Sequence, residues 1–156
     1  MKHPIPTHMA AVLLTGYGGL DKLQYREDVP VPCPAPGEVL IQVRAAGINN
    51  TDINTRSGWY NQAVKTGTEA EGAQSGFAVE HAESGDWGSD IGFPRIQGAD
   101  VAGIIVAVGP GVEVQRIGER VICDPYFHAA GDTTSLDSTG FLGAHRDGGF
   151  AQFTVV

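Results

Sequence analysis

The chain has 156 residues, of which 42% are hydrophobic, so it is long enough for one sizeable domain and too short for two of ordinary size. A formal net charge of -8 without a Lys/Arg cluster argues against a surface for nucleic acid or anionic membranes. Prolines and histidines interrupt the opening residues where a signal peptide needs an apolar core, and no later run reaches membrane-spanning length. We therefore expect a cytoplasmic protein with one core.

Short runs of β-forming residues, punctuated by glycine and proline, predict a mostly-β domain. Val39, Ile41 and Val43 alternate with Leu40 and more polar neighbours, the period of a strand with one face on a core. A more uniformly apolar run ends at Gly109–Gly111 and indicates a central strand closed by a turn. Together with one helix, these runs predict a partly open barrel with long loops. The runs are MAAVLLT, KLQYRED, EVLIQVRAA, DVAGIIVAVG, ERVICD and FAQFTVV.

Proline and cysteine spacing adds two expectations. Prolines at every second position of VPVPCPAPGE remove backbone donors, so this segment is predicted to be an extended connector. Cys33 and Cys123 lie far apart and form no CxxC pair, so they indicate neither a disulfide framework nor a thiolate zinc site. We expect both to be reduced, with Cys123 in an apolar strand as a small buried hydrophobe.

The polar stretch GINNTDINTRSG predicts a short helix after the third strand. Asn49 or Asn50 can serve as the N-cap, Asp52 lies in the first turn, and Gly58 follows the last turn. This local role accounts for the crowding of short polar side chains, because such residues satisfy the free N–H groups of a helix start. A functional role for them needs further support.

Residues 61–93 are rich in Gly, Ala, Ser and acidic residues and have no sustained period. One interpretation is a long, mobile surface excursion, because so polar a stretch buries too little apolar area to offset the ordering of its backbone. The other is an active-site lid carrying Phe77 and Trp87, since long loops in compact domains are often functional. Both interpretations stay open.

Four motifs in register resemble the N-terminal, GroES-like domain of the medium-chain dehydrogenase/reductase superfamily. PGEVLIQVRAAGINNTDINTRSG is similar to the family's strand, Gly-hydrophobic step and short polar helix, and FPRIQGADVAGIIVAVGPGV to its Pro-led loop, Gly-rich strand and turn. RIGERVICD resembles the next strand, and GGFAQFTVV the last strand before the cofactor domain. The resemblance covers nearly all of residues 1–156 and implies a GroES-like barrel, with a doubly wound Rossmann domain expected C-terminal to Val156.

The resemblance also bears on zinc. In the zinc-dependent alcohol dehydrogenases of the superfamily, the positions matching Asn49 and Ala99 are cysteine and histidine ligands, and neither an amide nor a methyl group is a credible substitute. The four-cysteine structural zinc lobe expected after ERVICD is absent from the sequence as well. We expect His128 and His145 to be isolated, solvated side chains of a loop. The resemblance therefore implies no zinc and favours the quinone oxidoreductase and enoyl reductase branches.

The resemblance implies an NAD(P)H-dependent oxidoreductase that delivers hydride to an activated C=C or a quinone-like small molecule. Asn49 and Thr51 would then be the catalytic hydrogen-bonding groups, and Asn50 and Thr51 would lie near the cofactor. Trp59 and Tyr60 would shape the acceptor pocket. Because the cofactor domain is expected beyond Val156, the isolated domain is expected to be inactive and to bind little NAD(P)H.

Alternatives stay open at three points. The protein could be a zinc-dependent alcohol dehydrogenase with ligands drawn from Asp100, Cys123 or a histidine, or a non-catalytic barrel for assembly or small-ligand binding. Asp52 could cap the helix or pair with an arginine such as Arg56 or Arg95. A homo-oligomer of the full-length protein is open too, whereas nucleic acid and membrane are not expected partners.

Overall fold

The computed structural model describes residues 4–61, 63–67, 70–77, 91–128 and 139–156. Within these ranges the chain forms nine β-strands, two α-helices and two single 3₁₀ turns, so the predicted mostly-β class is confirmed. The elements are β1 His8–Leu14, β2 Leu23–Pro30, β3 Val39–Gly47, α1 Asn50–Ser57, α2 Ala70–Ser75, β4 Arg95–Ile96, β5 Asp100–Val108, β6 Arg120–Ile122, β7 Tyr126–His128, β8 Thr139–Phe141 and β9 Phe153–Val155.

The strands form three antiparallel sheets with the orders β2-β1-β4, β6-β5-β3-β9 and β7-β8. The longest ladder joins β3 to β5, from Val39 opposite Val108 to Gly47 opposite Asp100. A single bridge between Ala11 and Ala151 links the first sheet to the segment before β9. The sheets do not close on one another, which is the partly open GroES-like barrel that the sequence predicts.

Each predicted run contains a strand, but the predicted alternation of buried and exposed residues is wrong for β3, whose first three residues are all buried and whose last four are all exposed. Val39, Leu40 and Ile41 are all buried, because this part of β3 lies between two cores. Leu40 packs into one apolar cluster, whereas Val39 and Ile41 pack into another. Strands β4, β7 and β8 were not predicted, since two or three residues are too few to show a period.

Three apolar clusters make up the core of the described residues. The first lies between the two larger sheets, the second on the other face of β3 and β5, and the third against the loop before β5. Their buried members are Met9, Ala11, Leu40, Ile96 and Phe153; Val39, Ile41, Val101, Ile105 and Leu142; and Ile91, Ala99, Phe141 and Ala144.

The connector between β2 and β3 has no regular secondary structure over residues 31–35 and a turn at residues 36–37, whereas Val29 and Pro30 of the proline segment still belong to β2. It contacts the turn after β5: Gly37 N donates to Pro110 O at 2.9 Å. Gly109 allows this approach, because a Cβ at that position would lie 1.9 Å from Ala35 O. The predicted turn at Gly109–Gly111 is present, with Gly111 at φ +86°.

The two cysteines are free. Cys33 is exposed, and Cys123 is half-buried just past the end of β6 rather than within a strand. Burial raises the pKa of the Cys123 thiol, which packs against the second cluster. Within the described ranges no helix has the length and hydropathy needed to cross a membrane.

The segment 61–93 is only partly described. Contrary to its aperiodic sequence, it contains the short helix α2, and Phe77 N just beyond that helix donates to Ser57 O at 2.8 Å. Residues 78–90, with Trp87 among them, lie outside the described residues, so both interpretations of this segment stay predictions.

Candidate functional site

Helix α1 begins with a capping box. Asn49 is the N-cap with extended backbone angles, and its Oδ1 accepts a hydrogen bond from Thr51 N at 3.1 Å. In return, Asp52 Oδ2 accepts from Asn49 N at 2.8 Å. Gly58 ends the helix in the left-handed region at φ 77°. The predicted helix and its predicted cap are therefore present, with Asn49 as the capping residue.

Asp52 fastens the helix start to the loop before β5. Its Oδ1 accepts from Gly98 N at 3.2 Å, and its backbone oxygen accepts from Gln97 Nε2 at 2.9 Å. The side chain is only 7% exposed, and burial raises the pKa of the carboxyl group despite the backbone N–H donors that lower it. Of the two predicted roles, the cap is correct. The arginine pairing is wrong, because Arg95 pairs with Asp147 and Arg56 binds backbone carbonyls.

Asn49 has a third polar contact that lies outside the helix. Its Nδ2 donates to Asp100 Oδ2 at 3.0 Å, and Asp100 is the first residue of β5. Asn49 thus joins the start of α1 to the start of β5, while Asp52 joins the same helix start to the preceding loop. Asn49, Asp52 and Asp100 form one polar group at this junction.

The side-chain hydroxyl group of Thr51 lacks a hydrogen-bond partner. Its Oγ1 is buried and has no hydrogen-bond partner in the structure, as is also true of Asn54 Oδ1 one turn later on α1. A hydroxyl group both donates and accepts, so Thr51 can serve an acceptor oxygen of a ligand. Asn50, in contrast, is exposed at the first position of the helix.

Trp59 and Tyr60 lie at the other end of α1. Their rings contact edge to face with centroids 5.4 Å apart, and Trp59 Nε1 donates to Thr66 O at 2.8 Å. The eight residues of the helix correspond to about 12 Å of rise between this pair and the capping box. The structure therefore groups Asn49 and Thr51 but does not group the two aromatic residues with them.

A largely apolar cavity of about 720 Å³ lies beside α1. Asp52, Ile53 and Arg56 line it from the helix, and Ile48 and Leu20 lie at it with 82% and 66% of their surface exposed. Among the described residues, none of the predicted site residues Asn49, Asn50, Thr51, Trp59 and Tyr60 lines this cavity.

Arg56 joins α1 to the loop at Gly18 and to helix α2. It is 5% exposed, and its Nη1 donates to Gly18 O at 2.5 Å while its Nη2 donates to Ala73 O of α2. Burial lowers the pKa of the guanidinium group, and the charge of Asp21 partly offsets this. Arg56, which the sequence suggested as a partner of Asp52, thus binds two backbone carbonyls and has a structural role.

The donor set does not fit zinc. Ala99 is 1% exposed and packs in the apolar cluster of Ile91, Phe141 and Ala144. Cys123 is half-buried and packs against the second apolar cluster. Over the described part of the chain, no group of three or more His, Cys, Asp or Glu side chains is arranged to hold a metal ion.

The two histidines differ from each other. His128 is exposed, lies in β7 rather than in a loop, and its Nδ1 is 3.1 Å from Thr139 Oγ1. His145 is half-buried, and its Nδ1 accepts from Phe141 N at 3.0 Å. The expectation of a solvated side chain is therefore wrong for His145, which supports the backbone next to β8.

Sequence reasoning missed the contacts that bring Gln97, Gly98 and Asp100 to the helix start. These residues lie 45 to 51 positions from their partners Asp52 and Asn49, so no local spacing signals the contacts. The motif GADVAG marked the start of β5, but it does not show which helix residue would face Asp100.

The family model of the alcohol dehydrogenase GroES-like domain matches residues 35–156. A Sinorhizobium meliloti 1021 protein that bears the name alcohol dehydrogenase has a crystal structure with TM-score 0.80 and 44% identity, over 99% of this chain and 39% of that chain. The alcohol dehydrogenase rspB of Escherichia coli CFT073, complexed with NADH, gives TM-score 0.69 and 27% identity over 97% of this chain and 36% of that chain.

Among curated relatives, the quinone oxidoreductase of Rattus norvegicus is 32% identical over 115 residues, which are 74% of this chain and 27% of the relative. The chain therefore spans well under half the length of the proteins it matches.

Proposed function

The chain belongs to the alcohol dehydrogenase GroES-like domain family, and on this premise we propose that it is the substrate-side domain of a zinc-independent, NAD(P)H-dependent oxidoreductase. The acceptor is an activated C=C or a quinone-like small molecule. A doubly wound domain following this one holds most of the cofactor. The names of the relatives, oxidoreductases and an NADH complex among them, support the reaction class.

The proposal rests chiefly on the hydroxyl group of Thr51. A buried polar group without a partner costs about 1–3 kcal/mol, and a role in binding or catalysis is one reason for a protein to retain such a group. Thr51 Oγ1 is such an atom, and it is two residues from the Asn49 amide. This pair of neutral donors stands at the helix start, where zinc enzymes of the superfamily place a metal ligand.

Without a metal ion, reduction of a conjugated C=C needs hydrogen-bond donors at the carbonyl oxygen of the acceptor. NAD(P)H, when bound, would supply the hydride, and reduction of a C=C conjugated to a carbonyl would place negative charge on the carbonyl oxygen. Thr51 Oγ–H and a side-chain N–H of Asn49 stabilise that oxygen by donating hydrogen bonds. A proton from solvent completes the reduction at the α-carbon.

The remaining predicted residues have supporting positions in this proposal. Asn50 is exposed beside the capping box, where it is accessible to the cofactor. Trp59 and Tyr60 are half-buried and contact each other at the far end of α1, so in this proposal they contact the part of the acceptor that is remote from its carbonyl oxygen. Zinc chemistry is disfavoured by the amide of Asn49 and the methyl group of Ala99.

The test is NAD(P)H oxidation by the full-length protein with an enone and with a quinone, before and after dialysis against a chelator. Thr51→Ala is expected to lower kcat about a hundredfold, the typical effect of losing a donor to an oxyanion. Thr51→Ser keeps the hydroxyl group and is expected to retain most of the wild-type kcat. Thr7→Ala, at an exposed threonine, is the matched control. Activity that requires zinc, or turnover unaffected by Thr51→Ala, would refute the proposal.

A further inference from the structure

The side-chain amide of Asn49 is held at both ends. Its Nδ2 donates to Asp100 Oδ2 at 3.0 Å, whereas its Oδ1 accepts from Thr51 N at 3.1 Å. Turning the amide over would place its oxygen against the carboxylate and its NH₂ group against a backbone N–H. Both contacts therefore favour the same orientation.

This orientation leaves Asn49 with one unused donor. A side-chain amide carries two N–H groups, and among the described residues only Asp100 accepts from Asn49 Nδ2. The oxygen is engaged in the cap, and the backbone N–H donates to Asp52 Oδ2 at 2.8 Å. What Asn49 offers to a ligand is thus an N–H and not an oxygen.

The backbone sets where the Asp100 carboxylate lies. Asp100 opens β5 and pairs with Gly47, the last residue of β3. A Cβ on residue 47 would lie 3.1 Å from Asp100 Cβ and 3.3 Å from its Oδ2, closer than ordinary contact. The glycine therefore leaves the space that the Asp100 side chain occupies when it binds Asn49.

We propose that Asp100 is a positioning residue, which fixes the Asn49 amide so that its second N–H is donated to an oxygen of the bound substrate. This inference rests on the proposed function and narrows its substrate class. The reacting group must carry an acceptor oxygen, such as the carbonyl of an enone or a quinone. A ligand that presents only a donor without an acceptor atom at this point, such as an ammonium group, finds no acceptor on Asn49.

The first arm of the test needs no activity. In the chain itself, NMR measures hydrogen exchange of the Asn49 side-chain amide, whose signals are assigned by their loss in Asn49→Ser. Asp100→Ala is expected to speed this exchange about threefold to tenfold, as expected for loss of one hydrogen bond. Gly47→Ala, which displaces the carboxylate without removing it, is expected to act in the same direction. Asp28→Ala, at an exposed aspartate bound to Arg26, is the control and leaves the exchange unchanged.

The second arm measures turnover of an enone by the full-length protein in a double-mutant cycle. Asp100→Ala is expected to lower kcat with little change in KM, and this loss is expected to vanish in the Asn49→Ala background. A residue that only supports the fold would instead lower the melting temperature and cost the same kcat in both backgrounds.

The two arms separate the possible failures. Unchanged amide exchange in Asp100→Ala, or a kcat loss that persists without Asn49, overturns the positioning role. A full-length protein that reduces no acceptor refutes the proposed function, and the exchange data then still show whether Asp100 fixes the amide.

Discussion

The Asp52 carboxylate accepts a hydrogen bond from Gly98 N at 3.2 Å, so the first turn of α1 is bound to the loop that leads into β5. The same carboxylate closes the capping box at Asn49 N. One buried side chain therefore stabilises a helix start and fixes a loop 46 positions away in sequence. Its protonation should alter both contacts.

Asp52 is expected to titrate above its ordinary value of 3.8, because burial disfavours the charged form. The folded state then holds this proton more tightly than the unfolded state does. The contribution of Asp52 to the free energy of unfolding is therefore full below pH 3.8 and falls as the pH rises through the native pKa. NMR titration of the side-chain carboxyl carbon measures the midpoint.

Asp28 provides the opposite case in the same titration. Its hydrogen bond from Arg26 lowers the pKa of an exposed carboxyl group, so its contribution to stability is present above the ordinary pKa and is lost as the pH falls. An Asp52 midpoint at or below that of Asp28 would contradict the first prediction.

Asn49→Ala is expected to lower the free energy of unfolding by about 0.5–2 kcal/mol, because it removes the N-cap of α1. Asn49→Ser keeps a capping oxygen and should recover most of this loss while removing the amide. Chemical denaturation of the chain measures both. If Ser and Ala are equally destabilising, the bond to Asp100 and not the cap is the main contribution of Asn49 to stability.

Arg56→Met is expected to lower the free energy of unfolding by roughly 3 kcal/mol, because it leaves the carbonyls of Gly18 and Ala73 without their donor. Amide exchange at Phe77, next to α2, should speed up in the variant. The control is Arg26→Met, which breaks an exposed ion pair and should change stability little. Unchanged exchange at Phe77 would show that Arg56 does not hold α2.

Gly103→Ala is expected to destabilise the β3–β5 ladder by about 1–3 kcal/mol, through overpacking. A Cβ there would lie 2.4 Å from both Gln42 O and Ile41 Cγ2 in the neighbouring strand. Gly16→Ala is the matched control, since a Cβ at residue 16 meets nothing within 4 Å. Equal melting temperatures for the two variants would mean that the strands separate easily at this point.

Elemental analysis of the purified protein is expected to find no stoichiometric zinc, because the two positions that match zinc ligands of the superfamily carry the neutral amide of Asn49 and the methyl group of Ala99. Asp100→Ala and Cys123→Ser should leave the metal content unchanged. About one zinc per chain, lost in either variant, would support the zinc-dependent alternative instead.

Local chemistry in the sequence determined the strands and the cap of α1. Alternation and glycine-proline punctuation placed a strand in each predicted run, and an Asn followed by Asp three residues later is a capping signal that needs no tertiary partner. The absence of Cys and His at positions 49 and 99 could likewise be read directly, since ligand identity is a property of single residues.

Only the tertiary structure decided which polar groups meet at the helix start. Asp100 reaches Asn49 because the β3–β5 ladder brings Gly47 opposite Asp100, a register that is set by pairing over the whole length of two strands. For the same reason, Arg56 binds a carbonyl of the loop at Gly18 and one of helix α2 rather than Asp52. Burial of both faces of β3 also depends on the sheets that pack around it, and a one-dimensional pattern carries no record of those neighbours.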